Sequence, residues 1–141
     1  MAQHTFARLA ITLVLVGAPL AAQTPEDAAQ AVAESWVKLV DAVDYGASWD
    51  EAATVFKSAV TKEQWTSAAT GARGPLGSLA SRTLASRQVT DQPPPGAPAG
   101  TYAIIRYTTT FANVPAVNEL VILILDGDRG WRVAGYTVRP G

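Results

Sequence analysis

Few residues of this chain carry chemistry, and Glu119 comes first. It opens residues 118–125 (NELVILIL), the most apolar stretch of the C-terminal half. A carboxylate beside such a run loses hydration, which raises its pKa and suits it to general-base work. The alternative is a carboxylate at a strand end that pairs with an arginine or faces water. Arg73, Arg82 and Arg106 are the matching cations: Arg82 follows a Gly-rich bend, and Arg106 is the lone charge within TYAIIRYTTTF. If they converge, they would hold a carboxylate or phosphate through bidentate hydrogen bonds. Otherwise Arg73 or Arg82 would bind Glu119 itself and tie a helix to the sheet. Trp36, Trp49, Trp65 and Trp131, with Tyr45 and Tyr136, either line an apolar pocket or fill the core. Trp65, Arg73, Arg82, Arg106, Glu119 and Tyr136 thus form the candidate ligand-binding set, and no residue is assigned as catalytic.

What is missing narrows the chemistry further. The 141 residues contain no cysteine and a single histidine, His4. His4 lies in a segment that reads as a secretory leader. His4 and Arg8 give a short basic start, residues 9–16 (LAITLVLV) are apolar apart from Thr12, Gly17 and Pro19 interrupt, and Ala21-Ala22 precede a polar stretch. The apolar run is too short for a bilayer, which takes about 20 residues. Cleavage after Ala22 would leave about 119 residues, enough for one core. That domain would have neither His nor Cys, which excludes Ser-His-Asp and Cys-His catalysis, thiolate chemistry and zinc sites built on those ligands. No dense Asp run suggests a carboxylate metal site. The expectation is an exported protein, periplasmic or secreted, with no cofactor, no metal and no stable membrane anchor. Charges of both signs alternate along the chain and the formal net charge is −1, so no nucleic-acid surface is expected.

The elements that must position these residues follow from periodicity. Thr24, Pro25 and Asp27 start a helix as N-cap, N1 and N3. Ala29, Val32, Ala33, Trp36, Val40 and Val43 give it an apolar stripe to about residue 44. Ser48 and Glu51 read as a second capping box, opening a short helix with Trp49, Ala52, Ala53 and Phe56 on one face. Thr61 and Gln64 read as a third, with a helix to about Arg73. Strands are expected near 82–90, at 101–111, at 118–125 and at 131–138. The first two are joined by the proline-rich DQPPPGAPAG and the last two by a hairpin over DGDRG. No internal repeat is evident. Helices followed by an antiparallel meander make the fold class α+β, a single domain over 23–141 with the helices on one face of a curved four-stranded sheet.

A hairpin centred on Asp128 would oppose Leu123 to Val133, Val121 to Gly135 and Glu119 to Thr137. Tyr136 would then share the other face with Leu120, Ile122 and Ile124. Both faces are therefore apolar, and a homodimer packing sheet on sheet is the simplest cover for the outer one. A monomer whose sheet curls over is the alternative. Gly135 in mid-strand suggests a bulge or sharp bend.

Several segments in order, SWVKLVDAVDYGASWDEAATVFKSAVTKEQW, ARGPLGSLASRTL, PPGAPAGTYAIIRYTTTFAN and NELVILILDGDRGWRVAGY, resemble the bacterial DUF4019 family of exported proteins over about residues 28–139. The resemblance implies a cystatin/NTF2-like arrangement but no reaction, because that family is one of unknown function. It frames two readings. One is a non-enzymatic module that binds a small ligand or a protein partner in the bacterial envelope. The other is a cofactor-free NTF2-like enzyme in which Glu119 is the base and Tyr136, or Tyr107, donates a hydrogen bond.

Overall fold

The computed structural model describes residues 12–17 and 22–141. Most of the expected leader, at 1–11 and 18–21, lies outside the described residues; Leu13 to Val16 are exposed and take no part in the core. Among the described residues, no helix is long and apolar enough to cross a membrane.

Four helices, α1 (Pro25–Asp41), α2 (Tyr45–Glu51), α3 (Thr54–Ala59) and α4 (Lys62–Arg73), precede four strands: β1 (Leu79–Thr90), β2 (Tyr102–Phe111), β3 (Val117–Leu125) and β4 (Trp131–Pro140). The strands form one antiparallel meander in sequence order. The fold class is α+β, as expected. α1 crosses all four strands, seating Ala29, Ala33, Trp36, Val37 and Val40 on the sheet.

The capping boxes at Thr24/Asp27 and Thr61/Gln64 form as the sequence predicts. The one expected at Ser48 does not. Asp44 caps α2 instead, accepting from the Ala47 N–H, and α1 stops at Asp41. Ser48 is fully buried: its carbonyl accepts from Trp36 Nε1 (2.8 Å) and its hydroxyl from Trp65 Nε1 (2.9 Å). Two buried indoles need two acceptors, and this serine supplies both. The single helix expected over Trp49–Phe56 is broken at Ala52-Ala53, whose Ala53 N–H donates to the Val133 carbonyl (2.8 Å) on the outer edge of β4.

Sheet registers correct the simple alternation in three places, one in β4 and two in β1. In β4, Leu123 opposes Val133 as expected, but Ala134 is an extra residue, so Val121 opposes Tyr136 and Glu119 opposes Val138. The bulge anticipated at Gly135 sits one position earlier and moves Tyr136 from the outer face to the helix-covered face. In β1 a short repeat becomes visible: Leu-Ala-Ser-Arg occurs at 79–82 and again at 84–87, and the register shifts at the alanine of each copy. Arginines five apart would point to opposite faces of a regular strand. The extra residue at Ala85 puts Arg82 opposite Thr109 and Arg87 opposite Ile105, on one face. Both arginines then reach α1, Arg87 at Asp27 (2.7 Å) and Arg82 at Asp41 (2.8 Å). Gly77 allows the chain to turn into β1: its φ is 78°, and a Cβ there would meet the Asn113 side chain at 2.9 Å.

The outer sheet face is partly covered from within. Tyr102 and Ile124 are buried there against Ala53, with Val55 and Ala97 of the proline-rich loop packed around them. Leu120 and Ile122 further along that face are half-buried.

Candidate functional site

Two features of the fold stand out, a buried polar cluster and an open groove. The cluster lies where the end of α1, the end of α4 and the sheet meet. Glu119, 1 % exposed, uses both carboxylate oxygens. Oε1 accepts from Arg82 Nε (2.7 Å) and the Thr109 hydroxyl, and Oε2 from Arg82 Nη2 (3.2 Å) and the Tyr136 hydroxyl. Arg82 turns its other edge to Asp41, with Nη1 on Oδ2 (2.8 Å) and Nη2 on Oδ1 (2.9 Å). Asp41 Oδ1 also accepts from Arg73 Nη2 (2.8 Å), and Arg73 Nη1 closes the circuit on the Tyr136 oxygen (3.3 Å). Arg73 stacks over the Phe111 ring, 4.6 Å from its centroid, so even its flat face is in contact.

Two carboxylates face two guanidiniums, so the cluster is formally neutral, the condition under which buried charges are tolerated. Burial works against ionised Asp41, but the hydrogen bonds from Arg82 and Arg73 outweigh it and hold its pKa below the usual carboxylate range. Burial likewise opposes the Arg82 charge, yet the bonds to Asp41 and Glu119 raise its pKa. Burial and the adjacent Glu119 charge push the Tyr136 hydroxyl far above its ordinary value, so it stays a hydrogen-bond donor. Burial pushes Tyr107 up to about 12; its hydroxyl has no hydrogen-bond partner among the described residues.

The Asp41 shift has a definite sign. A carboxyl whose folded pKa lies below the unfolded value of about 3.9 contributes stability that is complete above that value and fades as pH falls through the folded one. Asp41→Asn should therefore cost about 1–3 kcal/mol near neutrality. The gap from the parent protein in urea midpoint should narrow steadily below about pH 4. A gap independent of pH would contradict the assignment.

Of the six candidate site residues, Arg73, Arg82, Glu119 and Tyr136 come together here. Trp65 is near by, its ring 6.4 Å from that of Tyr136, but its polar atom is committed to Ser48. Arg106 does not join them: it is exposed on the outer face, opposite Ser86 and Leu120. Asp41 and Thr109 join the cluster without belonging to the candidate set that the sequence suggests. Thr109 was visible in the alternation of β2, where it shares parity with Ile105, Tyr107 and Phe111. Asp41 reads as part of the solvated face of α1, and only the arrival of β1 turns it into a ligand for arginine.

The profile of the DUF4019 family, described as a protein of unknown function, matches residues 32–136. The chain belongs to that family. The matched span of this DUF4019 domain runs from the second turn of α1 to Tyr136 and so takes in every member of the cluster. No curated protein matches the chain, so membership brings no activity with it.

The second feature of the DUF4019 domain is a groove of about 760 Å³ between α1, α2 and the start of β4. Such a volume suits a small molecule. Val32, Trp36, Leu39, Ala47 and Trp131 supply apolar walls, and Ser35 lies midway along the α1 side. Glu51, Arg129 and Arg132 stand among the lining residues. A smaller hollow of about 270 Å³ lies between α4 and the end of β4. It is lined by Trp65, Ala68, Ala72 and Tyr136 but not by Glu119.

Proposed function

We propose that this DUF4019 domain is an exported, non-enzymatic binding module whose ligand seats in the groove between α1, α2 and β4. The observation that carries the reading is the commitment of Glu119. A general base needs a free oxygen within reach of a substrate proton, and both Glu119 oxygens are engaged, by a guanidinium and two hydroxyls. The pairing of Glu119 with Tyr136 is the geometry the enzyme reading asks for. Here it serves as one side of a closed ion-pair circuit, and neither cavity is lined by Glu119. The cluster acts as the clasp that holds α1 and α4 on the sheet, and the groove is the accessible feature.

The uncharged fluorophore N-phenyl-1-naphthylamine tests this. Its emission should rise on addition of the full chain. Ser35→Phe, which fills the groove from an exposed helix position, should weaken its binding about tenfold or more, while Tyr136→Phe leaves it within twofold. Binding indifferent to Ser35→Phe would refute the groove as the site.

A further inference from the structure

The charged residues of the groove, Glu51, Arg129 and Arg132, stand where α2 and the start of β4 meet, and there the guanidinium donors outnumber the acceptors they are paired with. Arg132 donates Nη1 to Glu51 Oε2 (2.7 Å), and Arg129 donates Nη1 to Asp126 Oδ2 (2.8 Å). Asp126 is occupied elsewhere as well, accepting from the Thr54 N–H (2.9 Å) and hydroxyl (3.0 Å), and it is not among the groove-lining residues. The two guanidiniums are thus balanced by two carboxylates, one in the lining and one outside it, and what this end has in excess is N–H donors. Arg129 Nε and Nη2 and Arg132 Nη2 make no hydrogen bond among the described residues. Two arginines three residues apart with spare donors suit a carboxylate or similar oxyanion. Beyond them, Trp131, Trp36, Val32 and Leu39 offer an apolar wall along α1 with Ser35 as its one side-chain hydroxyl.

We propose that the ligand of this groove is a small anionic amphiphile, with its acidic head on Arg129 and Arg132 and its apolar body along Trp131, Trp36, Val32 and Leu39. This rests on the groove being the binding site and adds the charge and polarity of what enters it. The spare guanidinium N–H groups of Arg129 and Arg132 set the sign of the head, because they suit an oxyanion and Glu51 is already paired. The apolar walls fix the nature of the body, and the volume limits it to a single small molecule.

The test uses the full chain loaded with N-phenyl-1-naphthylamine and displaced by three ten-carbon compounds: decanoate, decanol and decylammonium. Decanoate should displace the fluorophore at concentrations at least tenfold lower than decanol. The preference should collapse in the Arg129→Gln/Arg132→Gln double variant, because a hydrogen bond to a charged group is worth about tenfold or more in affinity. Added salt should weaken decanoate more than decanol. Equal displacement by decanoate and decanol, or a preference for decylammonium drawn by Glu51, would overturn the anionic head. In either case fluorophore binding that is still lost in Ser35→Phe would leave the groove itself standing. Fluorophore binding unaffected by Ser35→Phe would remove both.

Discussion

Glu119→Gln should lower the unfolding free energy by about 3–5 kcal/mol, read as a reduced urea midpoint at unchanged slope. The amide keeps the shape of the carboxylate but not its charge. Of its two polar atoms one now donates, and it faces Arg82, Thr109 or Tyr136, which are donors themselves. Arg82 would remain buried with Asp41 shared between it and Arg73. Breaking one side of a buried pair is costly because the partner's desolvation is no longer offset, whereas replacing both sides with apolar groups is often close to neutral. The Arg82→Met/Glu119→Leu double variant should accordingly lose less than the two single changes combined, a coupling that a double-mutant cycle measures. A loss under about 1 kcal/mol for Glu119→Gln would show that the carboxylate carries no structural weight, and would return it to the list of candidate bases. The same experiment separates clasp from site: N-phenyl-1-naphthylamine should still bind any Glu119→Gln protein that remains folded.

Deleting Ala134 should have a larger effect, the loss of cooperative folding. With Ala134 present, Trp131 and Val133 on one side of the bulge and Tyr136 on the other all face the helices. Without it the strand alternates regularly, and one group must turn outward. Turning out Trp131 and Val133 exposes two core side chains; turning out Tyr136 strips Glu119 of a donor and removes the ring that packs on Trp36 at 5.3 Å. Either loss rivals the whole stability of a domain this size, about 5–15 kcal/mol. Flattened near-ultraviolet circular dichroism and collapsed amide dispersion would report it; a sharp two-state melt within a few degrees of the parent would refute it. Deleting Ala85 is the informative control. It turns out only one end of an edge strand, where Arg87 pairs with Asp27 on the surface and Val89 is half-buried, so that variant should still fold, with a loss of about 1–3 kcal/mol.

The bulges at Ala134 and Ala85 mark the boundary between local and long-range determinants of the fold. The helices of α1 and α4, with their Thr24 and Thr61 caps, and the four strands could be located from local pattern, because caps and alternation are properties of neighbouring residues. The bland alternative for Glu119, pairing with an arginine, was available too, since a carboxylate entering an apolar strand needs a counter-charge. A Ser three residues before a Glu has the form of a cap, and nothing local to Ser48 says that two indoles converge on it instead. Arg106 resembles Arg73 and Arg82 in a sequence because charge is legible there, whereas the face a strand residue occupies depends on register.

By itself, then, the sequence determined the α+β class, the succession of helices and then strands, the places of α1, α4 and the four strands, and the absence of cysteine and of any histidine beyond His4. These depend on residue identity and short-range periodicity. Which residues meet was decided only by the folded sheet. One extra residue at Ala134 and another at Ala85 set the parity of everything beyond them. That parity brings Tyr136 to Glu119 and puts both arginines of β1 on α1. A side chain's face reverses with each residue along a strand, so a single insertion outweighs any local preference. Only the pairing of whole strands, with the apolar face that must be buried, specifies where that insertion falls.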